Sequence, residues 1–562
     1  MTHYDVLIIG AGINGCGLFR DLCLQGVSCL LIDRGDICEG ASASSSRLIH
    51  GGIKYLETGE FRLVRESAME RNRLLRNAPH VVKPLEVVLP VQSWFGGIVA
   101  SAQRFAGFKA KLTDRGAVIT ELGLRLYDYY SRKIQALPDH RFLGPRRVRA
   151  DYPDFAERIK AAGVYYEGHI THAERLGLEL VLDGLAANPA SVLKTYTIVQ
   201  RPSGHVLELS DVLTHESTKV TCSVVVNASG AWIDKVNATL GINAQRMGGT
   251  KGSHLIVDNP RLLKALDGRM IYFGTADGRV NLIYPYFGHV LIGATDIPID
   301  DPDEAVCSDT EKTYLLNCIG EVFPRIAVTE DQVRLTYCGV RPLPRSIGQD
   351  AGSISRDHSI ARDVLPGSDV PVFSLIGGKW TTFRAFAAEV ADLILPLLKK
   401  ARTASTEDLA IGGGKNYPGP KRVDAFVQDF AQAEDLSVAR ATSLFARYGA
   451  SAADIARSCR GEAAKPLSSL SHYVAGEIIH MCQREKVVRL SDVLLRRTTI
   501  AMEGRLDAAV VNEVAGICAD ELHWPPTRVA AELEQTCREL KRRSIAIDDL
   551  KTKPEANIRY TV

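Results

Sequence analysis

The chain is predicted to be an α/β protein. It reads as a Rossmann-like dinucleotide-binding domain with an inserted antiparallel-sheet substrate domain, plus an all-helical C-terminal domain. Three observations predict this. Strand, glycine turn, helix, strand and acid follow one another within the first 33 residues. Short strand-like runs separated by turn residues fill the middle of the chain. From about residue 421 to 540, apolar residues fall at helical spacing.

Tyr4-Asp-Val-Leu-Ile-Ile reads as a buried strand, and Gly10-Ala-Gly12-Ile13-Asn14-Gly15 follows it as a G-x-G-x-x-G turn opening a helix. A second strand, Ser28-Cys-Leu-Leu-Ile-Asp33, ends on an acid 18 residues beyond Gly15. Gly10 makes the tight turn, Gly12 lets backbone approach a pyrophosphate, and Gly15 lets helix pack on strand. Asp33 can accept from ribose hydroxyls, and the diphosphate charge sits at the helix N-terminus. An ordinary glycine-rich turn would not need the acid in that place. Next comes Gly40-Ala-Ser-Ala-Ser44-Ser45-Ser46-Arg-Leu-Ile-His50-Gly51-Gly52-Ile-Lys54-Tyr55. Its small hydroxyl residues suit a segment threading past phosphates, and Gly51-Gly52 permits close approach to a flat ring. On its own it would read as a serine-rich surface loop; the fingerprint before it reverses that.

Two later runs, Thr221 to Gly230 and Val372 to Gly378, are continuous apolar stretches ending in small residues. Buried parallel strands whose C-terminal ends open onto a ligand look like this. The first ends on Asn227-Ala228-Ser-Gly230-Ala-Trp232 and the second on Gly377-Gly378-Lys379-Trp380-Thr381-Thr382. A bare helix N-terminus of glycines and a lysine favours negative charge. Between the two runs, His254-Leu-Ile-Val, Val280 to Tyr284 and His289 to Gly293 suit an inserted antiparallel sheet. The expected organisation is a cofactor domain over 1–400 with insertions at roughly 66–145 and 235–335. A Gly/Pro linker over 401–420 follows, then a helical domain over 421–545 with Ser491 as one N-cap, then a tail over 546–562.

Composition narrows the function. The 68 basic and 66 acidic side chains nearly cancel, so no global field argues for nucleic acid. The 12 cysteines are scattered without a C-x-x-C pair and read as small apolar residues in a reducing compartment, with no metal site. The residues ahead of the first strand show no basic n-region or cleavable apolar segment, so no leader is expected, and no apolar run reaches the roughly 18 residues of a spanning helix. A cytoplasmic location is expected. A cofactor bound by both ends of the chain must be long, which favours FAD over a nicotinamide. Arg341, wedged between Gly339 and Pro342, and Arg356 supply forks that grip phosphate or carboxylate.

Taken in order, these motifs resemble a known family. G-x-G-I-N-G at Gly10–Gly15, the S-S-x-L-I-H-G-G-x-x-Y-L-E run at Ser45–Glu57, K-G-S-H at Lys251–His254, G-x-T-D at Gly293–Asp296, Y-x-G-V-R-P-L at Tyr337–Leu343 and G-G-K-x-T-T-x-R at Gly377–Arg384 are similar to the FAD-dependent, respiratory sn-glycerol-3-phosphate dehydrogenases. The resemblance implies oxidation of a polyol phosphate's secondary alcohol to a ketone, hydride passing to FAD and electrons to membrane quinone. It implies a phosphate grip by Arg341, Arg356 and Lys54, with His50, Tyr55 and His254 near substrate or flavin and Lys379 acting on the flavin. His254 suits a packed core histidine equally well. The catalytic base stays open. The resemblance also implies peripheral attachment to the inner leaflet, and it leaves room for a homodimer. Gln92 to Lys111 interleaves aromatics with Arg104, Lys109 and Lys111 and has no acid, the composition of an interfacial helix. Two departures bear on substrate. Lys54 stands where members carry Arg, and Thr171-His172-Ala173-Glu174-Arg175 stands where they read D-D-A-R. Either admits a longer, four-carbon tetritol phosphate, and an FAD amine or amino-acid oxidase is the more distant rival.

Overall fold

The computed structural model describes residues 1–56, 59–96, 116–132, 136–275, 277–345, 357–468, 470–545 and 547. Its first sheet is built on the strand Thr2–Ile9, which pairs in parallel with Cys29–Ile32 on one side and Ser217–Asn227 on the other. Pro371–Ile376 extends the sheet in parallel, Ser359–Val364 closes that edge antiparallel, and Val192–Lys194 closes the other. The central strand is apolar and buried over Val6–Ile9, where both its faces are covered. Val6 and Ile8 pack with helices Ile13–Leu24, Ala173–Ala187 and Phe383–Ile394, whereas Leu7 and Ile9 pack into a second cluster with Leu207, Leu209 and Val372.

The second sheet has ten strands. The long pairs, Val82–Val91 with Ala161–Ile170 and Thr250–Val257 with Val333–Arg341, are antiparallel; Met270–Gly274 joins Val82–Val91 in parallel. The sheet thus draws on residues up to 170 and 341, beyond the stretches expected from spacing. Ala161–Ile170 is buried at nearly every position and shows no alternation to mark it.

The C-terminal domain packs helices Val423–Ala433, Val438–Tyr448, Ala475–Arg484, Ala508–Glu521 and Pro526–Lys541 around one core. Three expectations need correction. The domain is not all-helical, since Pro466–Leu467 and Leu470–Val474 form a small hairpin. Ser491 is not an N-cap: it lies inside the short helix Leu490–Asp492, whose start is held by Asp492 accepting from the Val488 and Arg489 N–H groups at 2.9 Å. The glycines at 412–414 do not form a loose linker. Gly413 and Gly414 are buried, and a methyl on them would come within 2.0 Å of the Tyr448 carbonyl and 2.3 Å of the Asn77 carbonyl. Small residues are needed there for close packing as much as for turning.

Buried ion pairs dock this domain on the cofactor domain. Asp36 accepts from Arg496 at 2.7 Å and Arg497 at 2.6 and 2.8 Å, and Arg175 meets Glu485 at 2.9 Å through both guanidinium nitrogens.

Candidate active site

The dinucleotide turn is tight. Gly10 adopts φ +110°, and a methyl there would lie 2.7 Å from the Ala228 carbonyl; one at Gly15 would lie 1.9 Å from the Gly10 carbonyl oxygen. The strand end at Ala228 and the helix start therefore share one crevice, where sequence spacing placed them. Asp33 accepts from the Ala11 N–H at 2.6 Å and the Gly35 N–H at 2.9 Å. Burial raises its carboxyl to about 6 despite those donors. Ile13 donates its N–H to Ser42 at 3.0 Å, and the Trp380 indole donates to the Ser42 carbonyl at 3.1 Å, tying the serine segment to both ends of the fold.

Gly377-Gly378 reaches the same crevice. Asn14 donates to the Gly377 carbonyl at 3.3 Å, and a methyl on Gly378 would stand 2.7 Å from the Asn14 amide nitrogen. Asn14 Oδ1 and Thr382 Oγ1 are buried and have no hydrogen-bond partner among the described residues. Buried polar atoms seldom go unpaired without a ligand to satisfy them. The glycine-lined cradle, the helix start and these two atoms fit FAD.

The segment after the serines meets Lys379. Thr381 donates its hydroxyl to the His50 carbonyl at 3.0 Å, and Lys379 Nζ lies 4.3 Å over the Tyr55 ring and donates to Ser67 at 3.2 Å. His50 is half-buried, 6.4 Å from the Tyr272 ring. Ser44 packs on Gly339, the Ser45 carbonyl accepts from Tyr337 at 3.2 Å, and Ser46 hydrogen-bonds His254 Nε2 at 2.8 Å. His254 is 2% exposed and stacks on Tyr337 at 4.9 Å. Burial, aided by Arg341 and Arg47, pushes its ring down to about 3, so it stays neutral. It packs the strand and is poorly placed as a solvent-linked base.

Arg341 ends its strand half-buried. Its guanidinium donates to Asp296 and to the Thr295 carbonyl at 3.0 Å each, with Gly252 directly behind it. Thr295 and Ser253 both donate to Glu311, which also pairs with Lys251 at 2.7 Å. The K-G-S-H and G-x-T-D motifs are thus one scaffold that orients the arginine.

Other expected residues are less central. Trp232 lies at the rim, under the Arg34 guanidinium at 4.6 Å and donating to Asp303 at 2.8 Å, while Gly230 turns the chain at φ +60°. The Lys54 side chain, Arg356 and the 97–111 stretch lie outside the described residues. The departure at 171–175 is absorbed by structure: Glu174 pairs with the buried Arg47 through both oxygens, at 2.6 and 2.8 Å. Sequence reasoning gave no individual role to Ser42, Asp296, Glu311 or Glu167. A signal existed for Glu167, a charge inside the otherwise buried strand Ala161–Ile170.

Comparison with known proteins agrees with this geometry. Residues 5–392 match the FAD dependent oxidoreductase family, and residues 404–529 match the C-terminal domain of alpha-glycerophosphate oxidase. The chain is therefore an FAD-dependent oxidoreductase. A glycerol-3-phosphate dehydrogenase of Synechocystis sp. is 32% identical over 95% of this chain and 96% of its own. An aerobic glycerol-3-phosphate dehydrogenase of Staphylococcus aureus is 29% identical over 96% and 95%. The chain belongs to the FAD-dependent glycerol-3-phosphate dehydrogenase family. Its fold is also that of the glycerol-3-phosphate dehydrogenase from Bacillus halodurans complexed with FAD, at TM-score 0.73 and 21% identity over 99% of this chain and 97% of that one.

Proposed function

We propose that this protein oxidises sn-glycerol 3-phosphate to dihydroxyacetone phosphate and delivers the electrons to membrane quinone. The observation that carries the reading is the meeting of the serine segment with the Arg341 strand. Ser44 packs on Gly339 and Ser46 binds His254, so a cation suited to phosphate stands beside the segment that approaches the cofactor. FAD supplies the two-electron acceptor. Gly10 to Gly15, Asp33 and the Gly377 to Thr382 turn hold it, and Lys379 places positive charge at that turn. Arg341, Lys54 and Arg356 anchor the phosphate. His50 takes the proton of the secondary hydroxyl, since it is half-buried and followed by two glycines while His254 is fully buried and neutral.

Lys54 supports a second substrate, a tetritol phosphate, because an ammonium grips without the fixed geometry of a guanidinium fork. Anaerobic bleaching of the flavin by glycerol 3-phosphate, tetritol phosphates and their unphosphorylated parents tests both. Bleaching by phosphorylated polyols alone is expected, and their relative rates rank chain length. Bleaching by glycine derivatives but not by polyol phosphates overturns the reading.

Attachment to the cytoplasmic membrane face has support outside the 97–111 stretch. Helix Ala117–Ser131 exposes Val118, Leu122 and Tyr129 at helical spacing, with Leu122 67% exposed. Exposed Trp94 and Phe95 adjoin it, because Val118 donates its N–H to the Trp94 carbonyl at 3.3 Å. Exposed apolar side chains interrupted by a base, here Arg125 between Leu122 and Tyr129, suit a bilayer interface. No helix among the described residues is long and apolar enough to cross a membrane.

A further inference from the structure

The peptide group joining His50 to Gly51 is gripped at both ends. Its carbonyl oxygen accepts from the Thr381 hydroxyl at 3.0 Å, and its N–H donates to Glu167 Oε2 at 2.7 Å. Thr381 lies at the start of helix Phe383–Ile394 and Glu167 lies in strand Ala161–Ile170, so two elements far apart in the chain orient one peptide plane.

Glu167 is itself held in place. It is 0% exposed, and its second oxygen accepts from the Tyr127 hydroxyl at 2.8 Å. Arg71, 2% exposed, donates to Glu167 at 3.2 Å, to the Tyr127 oxygen at 2.5 Å and to the Tyr166 carbonyl at 3.2 Å. A methyl on Gly51 would lie 1.9 Å from the Tyr127 oxygen, so the network presses directly on that backbone. Stability alone does not call for such a cluster, since well-packed apolar side chains often replace a buried ion pair at no cost. Position does call for it. Gly51 and Gly52 have no side chains to resist rotation, and Gly52 sits at φ +87°. Left to itself, the peptide before them would sample other orientations and carry the His50 ring with it.

We propose that Glu167, together with Thr381, is a positioning residue that locks the His50–Gly51 peptide and so orients the His50 ring. It acts through backbone, without touching substrate, and preorganises the proton acceptor and the cradle wall at once. The proposal rests on the role assigned to His50 above.

The test uses full-length, FAD-loaded Glu167→Gln, Thr381→Val and the double variant. The amide introduced by Glu167→Gln would offer one acceptor oxygen where two are used. Each single change should slow substrate-driven flavin reduction about 10- to 100-fold, the scale of a displacement near 1 Å, while substrate Kd stays within about twofold. Amide exchange of the segment containing Gly51, read without substrate, should quicken at least about tenfold. The double variant should be little worse than the poorer single one, because both release the same peptide. Unchanged reduction rates, or losses that multiply while Gly51 exchange stays slow, overturn the proposal. If Glu167→Gln does not retain FAD, Tyr127→Phe replaces it in the cycle, freeing the carboxylate on one side without altering its charge. Failure of the wild type to bleach with any polyol phosphate would overturn the functional reading instead, and the Gly51 exchange result would still decide the positioning role.

Discussion

Asp36→Asn removes a charge and keeps the shape. Asp36 is 0% exposed and faces Arg496 and Arg497, themselves 4% and 3% exposed. Its three short contacts include both nitrogens of the Arg497 fork. In the variant, Arg497 loses its carboxylate partner, and Arg496 keeps Asp492 at 2.7 Å and the Ser491 hydroxyl at 3.3 Å. Removing one partner of a buried pair costs about 3–5 kcal/mol because the other charge stays buried. Docking of the C-terminal domain should therefore weaken by roughly two to four orders of magnitude. FAD affinity should fall with it, since the same segment carries Asp33 on the Ala11 N–H and Cys38 donating to the Ala11 carbonyl at 2.9 Å. The sign with pH is fixed as well. Burial pushes the Asp36 carboxyl up, but Arg497 and Arg496 more than reverse this, leaving it below the usual carboxylate range. A depressed folded-state value means that this stabilisation is present above the unfolded carboxylate's pKa of about 3.9 and is lost as pH falls through the folded value. Urea unfolding and FAD titration at neutral and acid pH measure all three effects. An unchanged midpoint and Kd at neutral pH would refute the reasoning.

Gly15→Ala should abolish FAD retention, because its methyl would enter the Gly10 carbonyl at 1.9 Å; the flavin-to-protein absorbance ratio after purification checks this. Arg341→Ala should lower kcat/KM for the phosphorylated substrate about 10- to 150-fold, the loss of one charge-assisted contact of about 1.5–3 kcal/mol, and leave dithionite reduction of the flavin unchanged. Normal steady-state kinetics would remove Arg341 from the phosphate grip. Leu122→Asp should weaken binding to anionic vesicles in a flotation assay without changing turnover of a soluble acceptor, and full binding would place the membrane contact elsewhere. Lys251 and its hydroxyl partners outweigh burial and hold Glu311 down to about 2, so the scaffold behind Arg341 should persist from neutral pH to about 4 and loosen towards pH 2. Glu311→Gln should lack that acid transition in substrate-binding titrations.

Much of the crevice proposed for the cofactor was legible because its parts are local. A tight turn, a helix start and an acid on the next strand lie within one βαβ unit, and their spacing records the geometry. The strand ends at Ala228 and Gly377 were legible for the same reason, as small residues closing apolar runs. The ion-pair partners were not. Glu167 meets Arg71, Glu174 meets Arg47 and Arg497 meets Asp36 across stretches of chain whose spacing carries no period. The glycines at 412–414 mislead for a related reason, since glycine serves close packing and free turning alike.

Spacing and residue chemistry sufficed for the cofactor class, the layered architecture and the serine segment that leads to His50, because each follows from side-chain period and backbone sterics over a few neighbouring residues. Only the tertiary structure decided that His254 is neutral, that Asp296 orients Arg341, that Glu174 serves Arg47, and that the C-terminal domain grips the segment carrying Asp33. Burial and charge pairing depend on which distant surfaces meet, and the energy of a buried charge is set by partners that the linear order of the chain does not name.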